Sequence, residues 1–540
     1  MAENLVMGRR TFIKGSLAAS ALAALAACGK NEGSGATKVL KYYINEPVSI
    51  DPYNLQESEG TAVGHLLFRS LYSWDWDKGE AVPCAAKDVK ISDDGKVYTF
   101  ELVDAKFHNG DKVDAESFKR GWQRLADPTM ATPGDIGYHL APVAGYDEFV
   151  AKKAKEISGL VAVDDTHFEV TLTAPMADFL AVCCHPGLAP VPHAAIDDPD
   201  AFLLAPIGNG PFMMDGKWES GKHINMKRFE DYFGEAPKID AVNFSIQKDP
   251  KTAYSEFEAG NMDFCMVPTG QLSEAKKKYG ESEDGYTITP GKQVITGAEA
   301  SVYYLIPNLE NKVMGNEDLR HAISLAIDRQ NIVDTLFEGS RTPADCIFPP
   351  VIDQDDSNIW EYAPAKPDYE KAKKIIKDAG LEGTEITLNY NSGGGHEDIM
   401  SIIQGDLEKI GLKVKQSAEE WASYLSHLDD GSFMLGRMGW VADYPTMDNF
   451  IYPNFFSTAD NNYQHYKNAD VDKAILEARQ IQDDDERRDA YRKVNATLAE
   501  DLPVIPIMFY GHTHIGSERV STLYVDPQYV AHVDTADLTA

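Results

Sequence analysis

Positive charge is scarce in this chain. Its 540 residues hold 51 Lys and Arg against 85 Asp and Glu, a net charge of −34, which argues against nucleic acid and against an anionic lipid surface as partners. Cysteine is scarce as well. Six occur, and their spacings match no zinc site. Setting Cys28 aside leaves Cys84, Cys183, Cys184, Cys265 and Cys346, an odd number that gives an exported protein at least one free thiol. The vicinal Cys183-Cys184 sits in an apolar context that suits core better than redox chemistry. Catalytic signatures are missing: there is no Gly-x-Ser-x-Gly, no His-Glu-x-x-His and no phosphate loop. Pro206-Ile-Gly-Asn-Gly-Pro211 puts Pro211 and Phe212 where a nucleotide cradle needs a helix start. His512-Thr-His514 has a chelating spacing but reads more simply as a solvated strand edge. Asp93-Asp94 and the acidic run Asp483–Glu486 read as a turn and a solvated helix face. Neither an enzyme nor a resident metal or cofactor is expected.

Long apolar runs are also missing once the N-terminal segment is past. Gly8-Arg9-Arg10-Thr11-Phe12-Ile13-Lys14 is a twin-arginine n-region, and Leu17 to Ala27 is an apolar stretch too short for a permanent membrane span. Leu25-Ala26-Ala27-Cys28 resembles a bacterial lipobox. The expectation is a signal peptide over 1–27, acylation of Cys28, and a flexible lipidated tether over 28–37 that hangs the protein from the outer face of the cytoplasmic membrane.

The remaining roughly five hundred residues exceed one core, so two or three domains are expected. Val39–Ile44 reads as a strand and Thr61–Tyr72 as a helix. Asp88–Val103 reads as a hairpin around Ser92-Asp-Asp-Gly95, and Asp114 caps a helix carrying Phe118, Trp122 and Leu125. Asp318–Leu336 and Ala474–Leu498 each read as one long helix, and Val504–Tyr510 as a strand returning to an earlier part of the chain. Between them strands at Glu385–Asn391, Leu412–Gln416 and Phe433–Trp440 alternate with helices at Glu397–Ile410 and Trp421–Leu428, the pattern of a parallel α/β sheet. In such a sheet the loop at His396 and the stretch Trp440-Val-Ala-Asp443-Tyr444-Pro445 leave the same edge, where ligands bind. His396, Arg437, Trp440 and Asp443 can therefore converge. Asp443 has no cation nearby in sequence. Either it caps a turn, or it awaits a positive ligand group such as an amine.

The order of motifs resembles the extracytoplasmic peptide-binding proteins of ABC importers, the oligopeptide- and dipeptide-binding lipoproteins of solute-binding family 5. The pieces are Ile50-Asp-Pro52, Ser92-Asp-Asp-Gly-Lys-Val-Tyr-Thr-Phe100, Ala105-Lys-Phe-His-Asn-Gly-Asp111, Gly121-Trp-Gln-Arg-Leu-Ala-Asp-Pro128, His185-Pro-Gly-Leu-Ala-Pro-Val-Pro192, Gly208-Asn-Gly-Pro211, Glu258-Ala-Gly-Asn-Met-Asp263, Leu319-Arg-His-Ala-Ile-Ser-Leu-Ala-Ile-Asp-Arg329 and Gly439-Trp-Val-Ala-Asp-Tyr444. The resemblance implies an α/β, periplasmic-binding-protein-like fold: two lobes closing on a cleft, with an additional domain beside the first. Lobe I would take 38–68, 198–299 and 506–540, domain II 69–197, and lobe III 300–505. It implies a monomer that binds short peptides and meets ABC importer permease subunits.

By match, Asp443 would hold a peptide α-amine, and Arg437 and His396 the carboxylate. Trp440 and the backbone of Gly439 and Val441, followed by Tyr444, belong to the strand that pairs with the peptide. Glu57, Ser58 and Glu59 align with the segment that pairs on the opposite edge. The departures are Val441, where relatives carry a cysteine, a second relatives' cysteine that falls near Ala300, and a lysine of some relatives and a cleft arginine that fall near Phe337 and Leu428; none of these is present here. These leave open which residue holds the ligand carboxylate. Other cargoes on this fold would be a nickel chelate, haem or an oligosaccharide, and a peptide-signal sensor would share the same cleft.

Overall fold

Three sheets carry the fold. In the computed structural model, which describes residues 37–130, 136–355 and 359–539, a seven-stranded sheet runs in the order Val294–Ile295, His514–Gly516, Phe264–Met266, Val39–Ile44, Ala241–Ile246, His223–Arg228, Phe212–Met214. A four-stranded antiparallel sheet orders Ala86–Ile91, Val97–Leu102, His167–Thr171 and Leu160–Asp164. A six-stranded sheet orders Thr342–Pro343, Ile505–Gly511, Ala298–Pro307, Leu435–Val441, Glu385–Asn391 and Lys413–Glu419. Cys28 and the signal segment lie outside the described residues.

The alternating strand-helix pattern forms the parallel part of the six-stranded sheet, as expected. Glu385–Asn391 pairs in parallel with Lys413–Glu419 along its full length but with Leu435–Val441 only at residues 435 and 436. Beyond that point the two strands part. On its other side Leu435–Val441 stays paired, antiparallel, with Ala298–Pro307 through Val441.

Several elements differ from the sequence reading. The helix expected over 61–72 runs Ser58–Leu67, because Glu57 caps its start, and Tyr72 already begins a strand. The stretch 318–336 is two helices, Glu317–Ala326 and Arg329–Phe337, because Asp328 turns out of the helix and accepts the Asn331 N–H as an N-cap. Ala469–Ala478 and Asp484–Asp501 are likewise separate, with Asp483 capping the second. The strand Ile505–Gly511 does not return to the first sheet. It stays beside Ala298–Pro307, and only the following His514–Gly516 crosses over. His512 and His514 are buried rather than on a solvated edge. The acidic residues 483–486 are exposed, as expected.

Two local devices place the segments that matter for the cleft. Asp114 and Ser117 form a reciprocal capping box at the start of Ala115–Leu125, whose Trp122 is fully buried and donates its indole N–H to the Leu188 carbonyl at 2.7 Å. On the same helix Arg124 holds the fully buried Asp51 with two hydrogen bonds of 2.5 and 2.7 Å. Together they fix the turn Pro186–Leu188, and with it His185.

Candidate ligand-binding site

Asp443 lies just beyond the end of Leu435–Val441, and the chain brings it partners from far away in sequence. The Tyr138 hydroxyl donates to Asp443 Oδ2. His139 Nε2 lies 3.9 Å from Oδ2 and His185 Nε2 3.7 Å from Oδ1. The backbone N–H of Asp443 and the indole N–H of Trp440 both donate to Asn449 Oδ1, at 2.8 and 2.9 Å, and Asn449 Nδ2 donates to the Tyr138 hydroxyl at 2.9 Å. Asp443 is thus held in a network of neutral groups with no cation in it.

The charge state follows from that. Burial pushes the Asp443 carboxyl from an ordinary 3.8 up to about 7, with the Tyr138 hydrogen bond opposing only part of the rise. Neither histidine is a counter-ion. Burial pushes His139 down to about 4, and burial together with neighbouring imidazoles pushes His185 well below its ordinary value. Their tautomers are set by backbone contacts. His139 Nδ1 faces the Ile136 carbonyl at 2.8 Å, so it carries the proton and leaves Nε2 as an acceptor. His185 Nδ1 accepts the Gly187 N–H at 3.1 Å, so its proton is on Nε2. Both Nε2 atoms are buried without a hydrogen-bond partner.

Among the described residues, His139, His185 and Asp443 are the one group whose ligand atoms gather within 4.8 Å of one another in a way that could hold a metal. The Nε2–H of His185 argues against it, since a metal there would first have to break the Gly187 hydrogen bond. A primary ammonium fits better, because Asp443 and His139 Nε2 both accept.

The opposite pole is cationic. Arg437 donates to Asn391 Oδ1 at 3.1 Å and to the Tyr510 hydroxyl at 3.4 Å, and its guanidinium lies 5.0 Å from the Tyr303 ring centre. His396 is buried beside Tyr303, with Nδ1 3.5 Å from the hydroxyl. Burial first, then Arg437 and Arg341, keep His396 neutral. Among the described residues Arg437 forms no ion pair, and its Nε is buried and unpartnered.

Between the poles runs backbone with a free edge. Ala442 N–H donates to the Ala300 carbonyl at 2.9 Å. By the two-residue alternation of antiparallel pairing, Trp440 and Met438 then bond to Val302 and Tyr304, while Arg437, Gly439 and Val441 direct their N–H and C=O groups to the other side. The Arg437 groups are met by the Tyr424 hydroxyl, at 2.7 Å for each. Those of Gly439 and Val441 have no partner among the described residues. A Cβ at Gly439 would stand 2.7 Å from the Tyr510 hydroxyl, so any larger residue there would have to displace the tyrosine.

The sequence matches the middle region of "Bacterial extracellular solute-binding proteins, family 5" over residues 80–462. The chain belongs to this solute-binding family 5. Its members bind solutes and are not enzymes, in agreement with the absence of catalytic motifs. Among curated relatives, a probable deoxycholate-binding periplasmic protein of Escherichia coli is 29% identical over 86% of each chain. The dipeptide-binding protein DppE of Bacillus subtilis is 28% identical over 91% of this chain and 89% of its own. The Haemophilus influenzae OppA structure, solved as a complex with RPPGFSPFR, is 26% identical, covers 94% of this chain and all of its own, and superposes with a TM-score of 0.80.

Within the family-5 frame the expected site residues divide. Asp443 and Trp440 gather at one pole, Arg437 and His396 at the other, and Gly439 and Val441 supply the edge between. Tyr444 does not line the cleft. It is fully buried, and its hydroxyl donates to Asp448 at 2.8 Å, behind the pole. Glu57, Ser58 and Glu59 do not form an extended edge. Glu57 caps the Ser58–Leu67 helix, its carboxylate taken up by the N–H groups of Val48, Glu59 and Gly60, and Ser58 and Glu59 are in the first helical turn. Sequence reasoning missed Tyr138, His139, His185, Tyr510 and Arg341. Of these only His185 stood in a motif, and nothing in that motif marked its side chain.

Proposed function

We propose that this protein is an extracytoplasmic receptor that captures short peptides in extended form and passes them to an ABC importer. The carrying observation is the open backbone edge at Gly439 and Val441, set between a carboxylate without a cation and a guanidinium without an anion. A receptor for varied peptides draws affinity from what they share, namely main-chain hydrogen bonds by strand addition and two charged termini. The ligand ammonium donates to Asp443 and to His139 Nε2, and the ligand carboxylate meets Arg437. Residues 437 to 443 cover about 20 Å of extended chain, which a peptide of roughly three to six residues bridges. The relatives named for dipeptides and oligopeptides support this reading. Haem and oligosaccharides carry no ammonium for Asp443, and a nickel chelate meets the unfavourable His185 tautomer.

The same reading has Cys28 acylated, the protein monomeric, and the lobes divided near residues 69, 198 and 300, with the last crossing after Gly511. Native mass spectrometry of the purified protein tests the cargo. A ladder of co-purified short peptides is expected, and Asp443→Ala should weaken peptide binding by ~2–5 kcal/mol while leaving the fold intact. A single non-peptide mass, or indifference to peptide pools, would overturn the proposal.

A further inference from the structure

The cationic pole holds a second guanidinium that no motif pointed to. Arg341 lies just before the strand Thr342–Pro343, which pairs with Phe509 and Met508 on the Tyr510 strand. Its guanidinium carbon is 3.8 Å from the Phe337 ring centre and 4.5 Å from that of Tyr510. Tyr510 therefore serves both arginines, its ring facing Arg341 and its hydroxyl 3.4 Å from Arg437 Nη2. Among the described residues its guanidinium also approaches the Met508 sulfur at 4.0 Å, and its Nε, like that of Arg437, is buried and unpartnered.

Among the described residues neither arginine forms an ion pair. Glu299 is the one acidic group whose charge reaches Arg341. It is already engaged, 3.0 Å from His512 Nδ1 and 3.2 Å from the Ser301 hydroxyl. The groups facing Arg437 are the phenols of Tyr510, Tyr303 and Tyr424. Two arginines, always charged at any working pH, thus share one tyrosine within a part-buried site. An anion with two charges matches that arrangement.

We propose that the Arg341–Tyr510–Arg437 cluster is a subsite for a dianionic peptide end, with the α-carboxylate of an acidic last residue on Arg437 and its side-chain carboxylate on Arg341. This rests on the peptide reading and narrows it to a substrate class, peptides ending in Glu or Asp. Each guanidinium presents a planar fork that one carboxylate satisfies, so two carboxylates use both forks where one would leave donors unmet.

The test is calorimetric titration of the purified protein with two peptide series, Ala-based chains of two to five residues ending in Glu or in Gln. Glu and Gln have the same shape, so the ratio of their affinities reads the second charge alone. A charge-assisted contact of this kind corresponds to at least about a tenfold preference for Glu. Arg341→Gln should bring the ratio to within about threefold, and Arg341→Lys should keep part of the preference. Equal affinities for Glu and Gln in the wild-type protein overturn this inference alone, whatever the variants do. So does a preference that survives Arg341→Gln. Binding of neither series overturns the peptide reading and this inference with it.

Discussion

Asp443 makes a quantitative prediction, because its charge state is coupled to ligand capture. The carboxyl is pushed up to about 7 by burial, and an ammonium bonds productively only to the ionised form. Peptide affinity should therefore be greatest between about pH 7 and 8, fall again above that as the free peptide's α-amine deprotonates, and fall about tenfold for each pH unit below 7, so that binding at pH 5 is ~100-fold weaker than at the maximum. Below pH 7 each peptide bound should release close to one proton, and above about pH 8 it should instead take one up, because the free α-amine must be protonated to bind as an ammonium. The groups that face Asp443 do not blur this window. His139 titrates near 4, His185 well below its ordinary value, and burial first, then Asp443, raises Tyr138 well above the usual phenol range. At the other pole the arginines hold their charge throughout.

The stability of the empty protein should move in the opposite sense. The folded carboxyl has the higher pKa, so between about 4 and 7 the folded protein keeps a proton that the unfolded chain has lost, and stability declines as pH rises through that window. At about 1.4 kcal/mol per pH unit, the rise from 3.8 to about 7 corresponds to on the order of 4 kcal/mol. The assay is titration calorimetry from pH 5 to 8, in two buffers of different ionisation enthalpy to count the proton, together with thermal melts. Asp443→Asn is the control, expected to bind weakly, without pH dependence, and to melt higher than wild type at pH 8. Wild-type affinity constant within about threefold from pH 5 to 8, with no proton released, would refute the claim that Asp443 waits without a counter-ion.

Three further outcomes are expected. Tyr138→Phe removes the one hydrogen bond that lowers the Asp443 pKa, so the midpoint of the binding-pH curve should move above 7 in the same titrations. Gly439→Ala puts a methyl 2.7 Å from the Tyr510 hydroxyl; an overpacking cost of ~1–3 kcal/mol should appear as lost peptide affinity, and the added Tyr510→Phe should recover part of it. Arg124→Ala leaves the buried Asp51 charge uncompensated, which should cost ~3–5 kcal/mol in denaturant unfolding.

What the sequence made legible was the part with short-range rules. Alternation of strands with capped helices located Glu385–Asn391, Lys413–Glu419 and Leu435–Val441 to within a few residues, and a proline after Asp443 marked where the strand ends. The same periodicity misled at 318–336. Apolar residues such as Ile323, Ile327 and Val333 keep a helical spacing through the break at Asp328, so the periodicity runs on across the cap. Glu57 was placed on an extended edge because the match carried no information about where its carboxylate points, and the structure turns it onto three backbone N–H groups. Tyr138 was out of reach altogether. It stands 305 residues from Asp443, and His139 and His185 owe their hydrogen-bonding roles to single backbone contacts that no spacing encodes.

The two poles are built from different parts of the chain, and this bears on how a ligand is held. Arg437, Tyr510, Tyr303 and His396 all stand on or directly beside strands of the six-stranded sheet, so the cationic end and the open edge at Gly439 and Val441 belong to one sheet. The other end is shared. Asp443 belongs to that sheet's cleft strand, but Tyr138, His139 and His185 come from the segments packed against the four-stranded sheet and the Ala115–Leu125 helix. A peptide can add to the edge and meet Arg437 through that sheet alone. Only its ammonium touches groups from both, so in the peptide reading the amine is the ligand feature that ties the two halves of the cleft together. In the peptide reading this is why the high pKa of Asp443 matters: below pH 7 the ligand contact shared by both halves forms only as the carboxyl gives up its proton.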